Sequence, residues 1–399
     1  MLPPRSPDAA WLAAEGDRLL QFARGSRHPA GGFGWLDGHG RLVEQHDRPL
    51  YVTCRMTHVF ALAHLLGKSW AAELADDGVA ALLGPFRDEQ YGGWYAGLTA
   101  DGAPVTTKSA YEHAFVVLAA ASATAAGRPG AEELLTDALE VLDRNFWDDE
   151  HGMLVEEWDR PFTRLDAYRG ANANMHGVEA LLAAADVTGS RALRDRALRV
   201  TSCIVHDVAP GFDWRIPEHF DGDWRPLPDY NRNEPGHPFR PFGATIGHWF
   251  EWARLAVSLH VALPAPPTWL LDHARSLFAA ASDTWAVDGA DGFVYTVDWD
   301  GRPVVRQRMH WVVAEAIAAA ASLREVTGES SYDAWLARLW DYANAHLIDR
   351  ARGSWHHELD PDNRPAHTVW NGKPDVYHAF QATLLSRLSA AGSLVASLR

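Results

Sequence analysis

Six histidines recur along the chain: His58, His113, His176, His248, His310 and His378, at gaps of 55, 63, 72, 62 and 68 residues. Each lies in or near the first turn of a stretch with helical periodicity, so one unit is expected to recur six times. If those helices stand side by side, their imidazoles approach one mouth. Histidine titrates nearest neutrality, so such a mouth is suited to moving protons.

Other polar residues gather at the same helix starts. Arg55 and His58 are three apart, Asn172 and His176 four apart, and His248 and Glu251 three apart, so each pair shares a helix face. Trp311 and Glu315 follow on the next such helix, and Tyr377-His378 on the last. Loop candidates are Glu218-His219-Phe220-Asp221, Arg240 and Trp370. Glu251 is placed to fix the tautomer of His248, which reads as functional. His58 and His113, deep among apolar neighbours, read as structural hydrogen-bonding groups, and His176 reads either way. Arg55 beside an apolar core needs an anionic or hydroxylic partner, and a substrate would supply one.

The elements that must position these groups are legible as twelve amphipathic stretches. They lie near 8–25, 53–66, 69–84, 109–126, 130–146, 173–187, 190–206, 245–262, 266–283, 310–326, 330–347 and 375–391. From Tyr111 onward the apolar residues surround the helix, as a buried inner helix requires. In 190–206 they keep to one stripe, as an outer helix requires. Between an outer helix and the next inner one recurs a Gly- and aromatic-rich segment, starting at Gly32, Gly92, Gly152, Gly211, Gly292 and Gly353. These segments read as short strands with tight turns, as at Asp300-Gly301. The step from Gly211 to Gly292 is 81 residues against 59 to 61 elsewhere, and it contains Pro-rich 223–243, expected to lie over the mouth. Six hairpins whose inner helices are apolar all round predict an all-α fold, an (α/α)6 barrel with short β-hairpins in its loops, as a single domain over 1–399.

Composition narrows the function classes. A net charge of −16 without a Lys/Arg-rich run argues against a nucleic-acid or anionic-membrane surface. Cys54 and Cys203 are the only cysteines, which fits a reducing cytoplasm. No signal peptide or membrane-spanning run is expected. The 18 tryptophans suit either a helical core or the faces of sugar rings. No HExxH pair, Gly-rich GxxxxGK[ST] phosphate loop, strand-led GxGxxG or GxSxG elbow occurs, so neither metal nor cofactor is expected. A glycoside hydrolase would need two carboxylates, for which Glu156, Glu157, Glu218, Glu251 and Glu315 are available. A sugar-binding protein without turnover is the remaining alternative.

The strings Arg55-Met-Thr-His58, Gly92-Gly-Trp-Tyr95, Tyr168-Arg-Gly-Ala-Asn-Ala-Asn-Met-His176, Pro217-Glu-His-Phe-Asp221, Gly247-His-Trp-Phe-Glu-Trp252 and Asp375-Val-Tyr-His378 resemble the N-acylglucosamine 2-epimerase family. Within it they are most similar to the aldose–ketose isomerases of mannose or sulfoquinovose. That resemblance implies an (α/α)6 barrel, acid/base histidines at His248 and His378, and no cofactor. It implies sugar contacts at Arg55, Tyr111, Asn172, His176, Arg240, Glu251, Trp311 and Trp370. The implied partner is a small monosaccharide, with no nucleic acid or membrane, and the oligomeric state is open. The implied reaction interconverts mannose and fructose, and lyxose and xylulose, through a cis-enediol. Sulfoquinovose isomerisation and 2-epimerisation are the alternatives. The sulfosugar enzymes are expected to use two glutamines near the C-terminus. His357 and Pro374 stand there instead, and proline offers no side-chain donor. This favours an unsubstituted hexose, whereas Arg240 suits an anion.

Overall fold

A computed structural model describes residues 7–399. Twelve main helices form where the apolar periodicity places them. They are α1 (Ala9–Ala23), α2 (Leu50–Leu65), α3 (Ala71–Leu83), α4 (Ala110–Ala125), α5 (Ala131–Val141), α6 (Ala171–Thr188), α7 (Arg191–Thr201), α8 (Ile246–Ala262), α9 (Trp269–Ser282), α10 (His310–Thr327), α11 (Ser331–Tyr342) and α12 (Tyr377–Leu385). A short α13 (Leu394–Ser397) follows. Outer helices α5, α7 and α11 each run on into a π-helical turn, at Leu142–Phe146, Ser202–Val208 and Ala343–Leu347.

The chain forms two compact units. One comprises the N-terminal segment to Leu19, Thr201–Lys373 and His378–Ala391. The other comprises Leu20–Val200, Pro374–Tyr377 and Gly392–Arg399. In the second, α2, α4 and α6 are buried almost throughout and pack in that order, while α3 covers α2 and α5 covers α4. Alanines 110, 114, 119, 120, 121 and 123 of α4 are fully buried, and their small side chains admit neighbours on every face. A side-chain N-cap starts this helix: Ser109 Oγ accepts from the Glu112 amide and donates to the Glu112 carboxylate. In the first unit buried α8 and α10 pack together, covered by α9 and α11.

Two loop devices repeat with the helices. Each of the six helical repeats carries one tight turn, at 37–41, 99–103, 159–164, 221–225, 298–302 and 360–364. In every case the first residue's carbonyl accepts from the amide three residues on, and its own amide bonds across the turn. The fourth residue is left-handed throughout: Gly40, Gly102, Phe162, Trp224, Gly301 and Asn363. Glycine meets that demand without strain, and asparagine meets it better than the two aromatics. The second device is a buried cation ahead of an inner helix. Arg48 donates to the carbonyls of Ala30 and Gly31, Lys108 to Gly92, Arg308 to Ala290 and Asp291, and Lys373 to Gly353. Three of them also pair with a buried aspartate, Asp88, Asp288 and Asp349 respectively. Each cation thereby ties a Gly-aromatic segment to the helix start that follows.

Two expectations are corrected. His58 sits more than two turns into α2 rather than near its first turn. The segment at Gly211 is a 3-10 turn (Ala209–Phe212) followed by left-handed Asp213 and Trp214, not a strand. His58 and His113 are structurally engaged. His58 Nδ1 meets Ser122 Oγ at 2.6 Å. His113 Nδ1 donates to the Ser109 carbonyl while Nε2 accepts from the Trp94 amide, and burial holds its pKa down to about 3. Six of the eighteen tryptophans, Trp35, Trp94, Trp249, Trp252, Trp340 and Trp355, belong to the buried core. Trp94 donates to the Leu82 carbonyl and Trp355 to Glu15, both from fully buried positions.

Candidate active site

Two imidazoles of the first unit share one indole. His248, the third residue of α8, lies 5.2 Å from Trp311 between ring centroids, and His378, the second residue of α12, lies 5.7 Å from the same ring. Trp311 is half-exposed, unlike its buried neighbours His310 and Val312. It is seated by Gly247. A methyl group there would stand 2.2 Å from Trp311 Cζ3, so the indole lies directly on the start of α8. Gly247→Ala is expected to displace the ring, lowering kcat about 10- to 100-fold at a stability cost of about 1–3 kcal/mol. Steady-state kinetics beside thermal melts check this; unchanged kcat would show that the indole's seat is immaterial.

Each imidazole is backed by a carboxylate on Nδ1. For His248 the partner is Glu218 Oε2 at 2.8 Å, supplied by the loop before strand His219–Phe220. For His378 it is Glu315 Oε1 at 2.8 Å, from one turn into α10. A carboxylate on Nδ1 keeps a proton there and leaves Nε2 as the acid/base atom. The sequence-based expectation that Glu251 backs His248 is corrected: that place belongs to Glu218. Oε1 of Glu251 instead accepts from Arg254 at 3.3 Å, whose Nε donates to Glu315 Oε2 at 3.0 Å. All six charged or titratable groups are buried, Glu251 and Glu315 to 1% exposure.

The remaining candidates of this unit lie on its loops. The 223–243 insertion is pinned at several points. His219 Nε2 meets the Pro241 carbonyl at 2.7 Å, Tyr295 donates to Pro238, and Trp299 donates to Pro228. Burial depresses the His219 pKa, so it donates as a neutral ring. Half-buried Arg240 follows Phe239, whose ring meets Trp370 edge-on at 5.3 Å. The Trp370 amide donates to Glu358, while its indole Nε1 is buried without a hydrogen-bond partner.

In the second unit Arg55 bonds Tyr111 Oη at 3.0 Å and pairs with Asp375 at 3.3 Å, among the rings of Tyr51, Phe115 and Tyr377. The protein therefore supplies the anionic and hydroxylic partners that Arg55 requires. Tyr111 meets the His176 ring edge-on at 5.3 Å, and Glu179 lies 3.7 Å from His176 Nδ1 and accepts from Tyr377. The Oδ1 of Asn172 is buried without a hydrogen-bond partner.

Glu251, Glu315 and His378 bring one possible metal-ligating atom each within 4.8 Å of one another. Arg254 already places a cation on both carboxylates, and His378 Nδ1 is bonded to one of them. The donors are thus engaged with a resident charge. Glu218 and Glu315, two candidates for a glycosidase pair, are likewise each committed to an imidazole.

What sequence reasoning missed is the depth behind the histidines. Arg254 carried one signal, a charge three residues after Glu251 on a helix apolar all round. No helix among the described residues is long and apolar enough to cross a membrane.

Comparison with known proteins bears on the family and the fold. The family model for N-acylglucosamine 2-epimerase (GlcNAc 2-epimerase) matches residues 31–382. A D-mannose isomerase of Thermobifida fusca is 53% identical over 99% of this chain and 98% of its own. One of Pseudomonas cannabina pv. alisalensis is 48% identical over 97% and 94% respectively. Among solved structures, a D-mannose isomerase superposes with a TM-score of 0.88 at 30% identity, covering 95% of this chain and 97% of that one. The cellobiose 2-epimerase of Spirochaeta thermophila, at 23% identity and a TM-score of 0.83 over 95% of each chain, shows the fold alone. The fold is the (α/α)6 barrel with short hairpins in its loops, and the protein is an isomerase. With its helical repeat, its carboxylate-backed histidines and nearly full-length relatives, the chain belongs to the N-acylglucosamine 2-epimerase family.

Proposed function

We propose that the protein interconverts D-mannose and D-fructose, and D-lyxose and D-xylulose, using His248 and His378 as acid and base. The observation that carries this reading is the pair of imidazoles on Trp311, each with a buried carboxylate on Nδ1. The relatives named D-mannose isomerase support the substrate. We take residues 1–399 as one catalytic domain, supported by the nearly full-length match to those relatives.

The steps follow from proton logic. One imidazolium protonates the ring oxygen as the anomeric hydroxyl loses its proton, and the C1–O5 bond breaks to give the open aldehyde. A neutral imidazole then takes the C2 proton, which the C1 carbonyl acidifies. The electron pair forms the C1–C2 double bond of a cis-enediolate. The C2 hydroxyl proton passes to the C1 oxygen, and the abstracted proton returns to C1 as the C2 oxygen becomes the ketone carbonyl. Each positioned acid or base contributes on the order of 10²–10⁴ in rate. No metal is required on this route. On the family resemblance, Arg55, Tyr111, Asn172, His176, Arg240, Glu251, Trp311 and Trp370 hold the sugar.

An unsubstituted hexose fits better than a sulfosugar. His357 stacks on His310 with ring centroids 3.9 Å apart, and Pro374 carries no donor. Incubation with mannose in the presence of EDTA is expected to yield fructose, and kcat/KM for mannose should exceed that for sulfoquinovose at least tenfold. No fructose would refute the activity; a preference for the sulfosugar would refute the substrate.

A further inference from the structure

The two imidazoles rest on unequal carboxylates. Glu218, behind His248, has its second oxygen Oε1 buried without a hydrogen-bond partner. Glu315, behind His378, has its second oxygen bound by the Arg254 guanidinium at 3.0 Å. Arg254 is in turn fixed from α8 by Glu251. It lies six residues past His248 on the same helix, yet it acts on the other histidine. Within this unit the charged and titratable groups facing His378 are Glu315, Arg254 and Glu251, with His310 edge-on at 6.4 Å between centroids and His357 stacked behind it.

We propose that Arg254 is the positioning residue of His378, clamping Glu315 so that one oxygen stays on Nδ1 while its own charge offsets the carboxylate. The consequence is chemical as well as geometric. A carboxylate shared with a guanidinium attracts a second imidazole proton less strongly than an unshared one does. His378 is thereby held neutral, oriented and ready as a base. The clamp is costly to bury and costlier to break, because removing the arginine leaves two carboxylates facing each other in the core.

This inference rests on the proposed isomerase reading for its catalytic meaning, but its test does not need turnover. The His378 imidazole is followed by NMR titration in the unliganded wild type, Arg254→Met, Arg254→Lys and the charge-compensated Arg254→Met/Glu251→Gln pair, with His378→Gln assigning the signal. The midpoint is expected to move to higher pH in Arg254→Met and in the double variant, and back toward wild type in Arg254→Lys. With mannose, kcat at neutral pH should fall roughly tenfold or more with KM changed less than threefold, and the acid limb of kcat/KM should shift the same way. The double variant retains the readout if Arg254→Met does not fold. An unmoved His378 titration in a folded variant overturns the inference. The full series of titration shifts across the variants, together with a wild type that never converts mannose, refutes the isomerase reading alone.

Discussion

Replacing His378 with Asn is expected to lower kcat for mannose by about 10²–10⁴, with an equal loss from His248→Asn. Asparagine keeps a polar group of similar reach but cannot exchange a proton near neutral pH. Both sites lie at helix starts with their backbones intact, so circular dichroism and melting temperature should change little by comparison. The double variant should fall well short of the product of the two losses, because residues that act as one relay fail together. Near-normal turnover by either single variant would remove that histidine from the chemistry.

Glu218→Gln is the second large effect. The isosteric amide retains contact with His248 Nδ1 but carries no charge. It can also present its NH2 to Nδ1, which drives the imidazole proton to the opposite nitrogen. Loss of the correct tautomer in an acid/base histidine costs on the order of 10⁴ in a serine protease triad, and a loss of about 10²–10⁴ in kcat is expected here. The comparison with Glu251→Gln is informative. If Glu251 rather than Glu218 oriented His248, the ranking of the two variants at equal KM would reverse.

The helices were legible because their signal is local. Twelve apolar periodicities predict twelve helices; the π-turns after α5 and α11 fall inside the predicted stretches, whereas that after α7 runs on to Val208, past 206, and α12 ends at Leu385 rather than near 391. The two histidines were legible through the family's strings. Their partners were not. Glu218 reaches His248 across 30 residues and Glu315 reaches His378 across 63, separations at which no helical periodicity operates. Glu251 drew attention because i+3 spacing is visible, and that spacing misled. Arg48, Lys108, Arg308 and Lys373 stayed hidden as fold-forming residues because they bind loop carbonyls, which have no sequence identity of their own. Six turns closed variously by Gly, Phe, Trp and Asn likewise share a backbone geometry rather than a motif.

Proton transfer through an enediolate is the centre of the account, and conversion of mannose in deuterium oxide tests it most directly. After exchangeable hydroxyl deuterium is washed out, fructose should carry deuterium bound to C1, increasing as the reaction approaches equilibrium. Fructose that retains only protium at C1, even after many turnovers, would mean that hydrogen passes from C2 to C1 as hydride, and the histidine relay would be wrong.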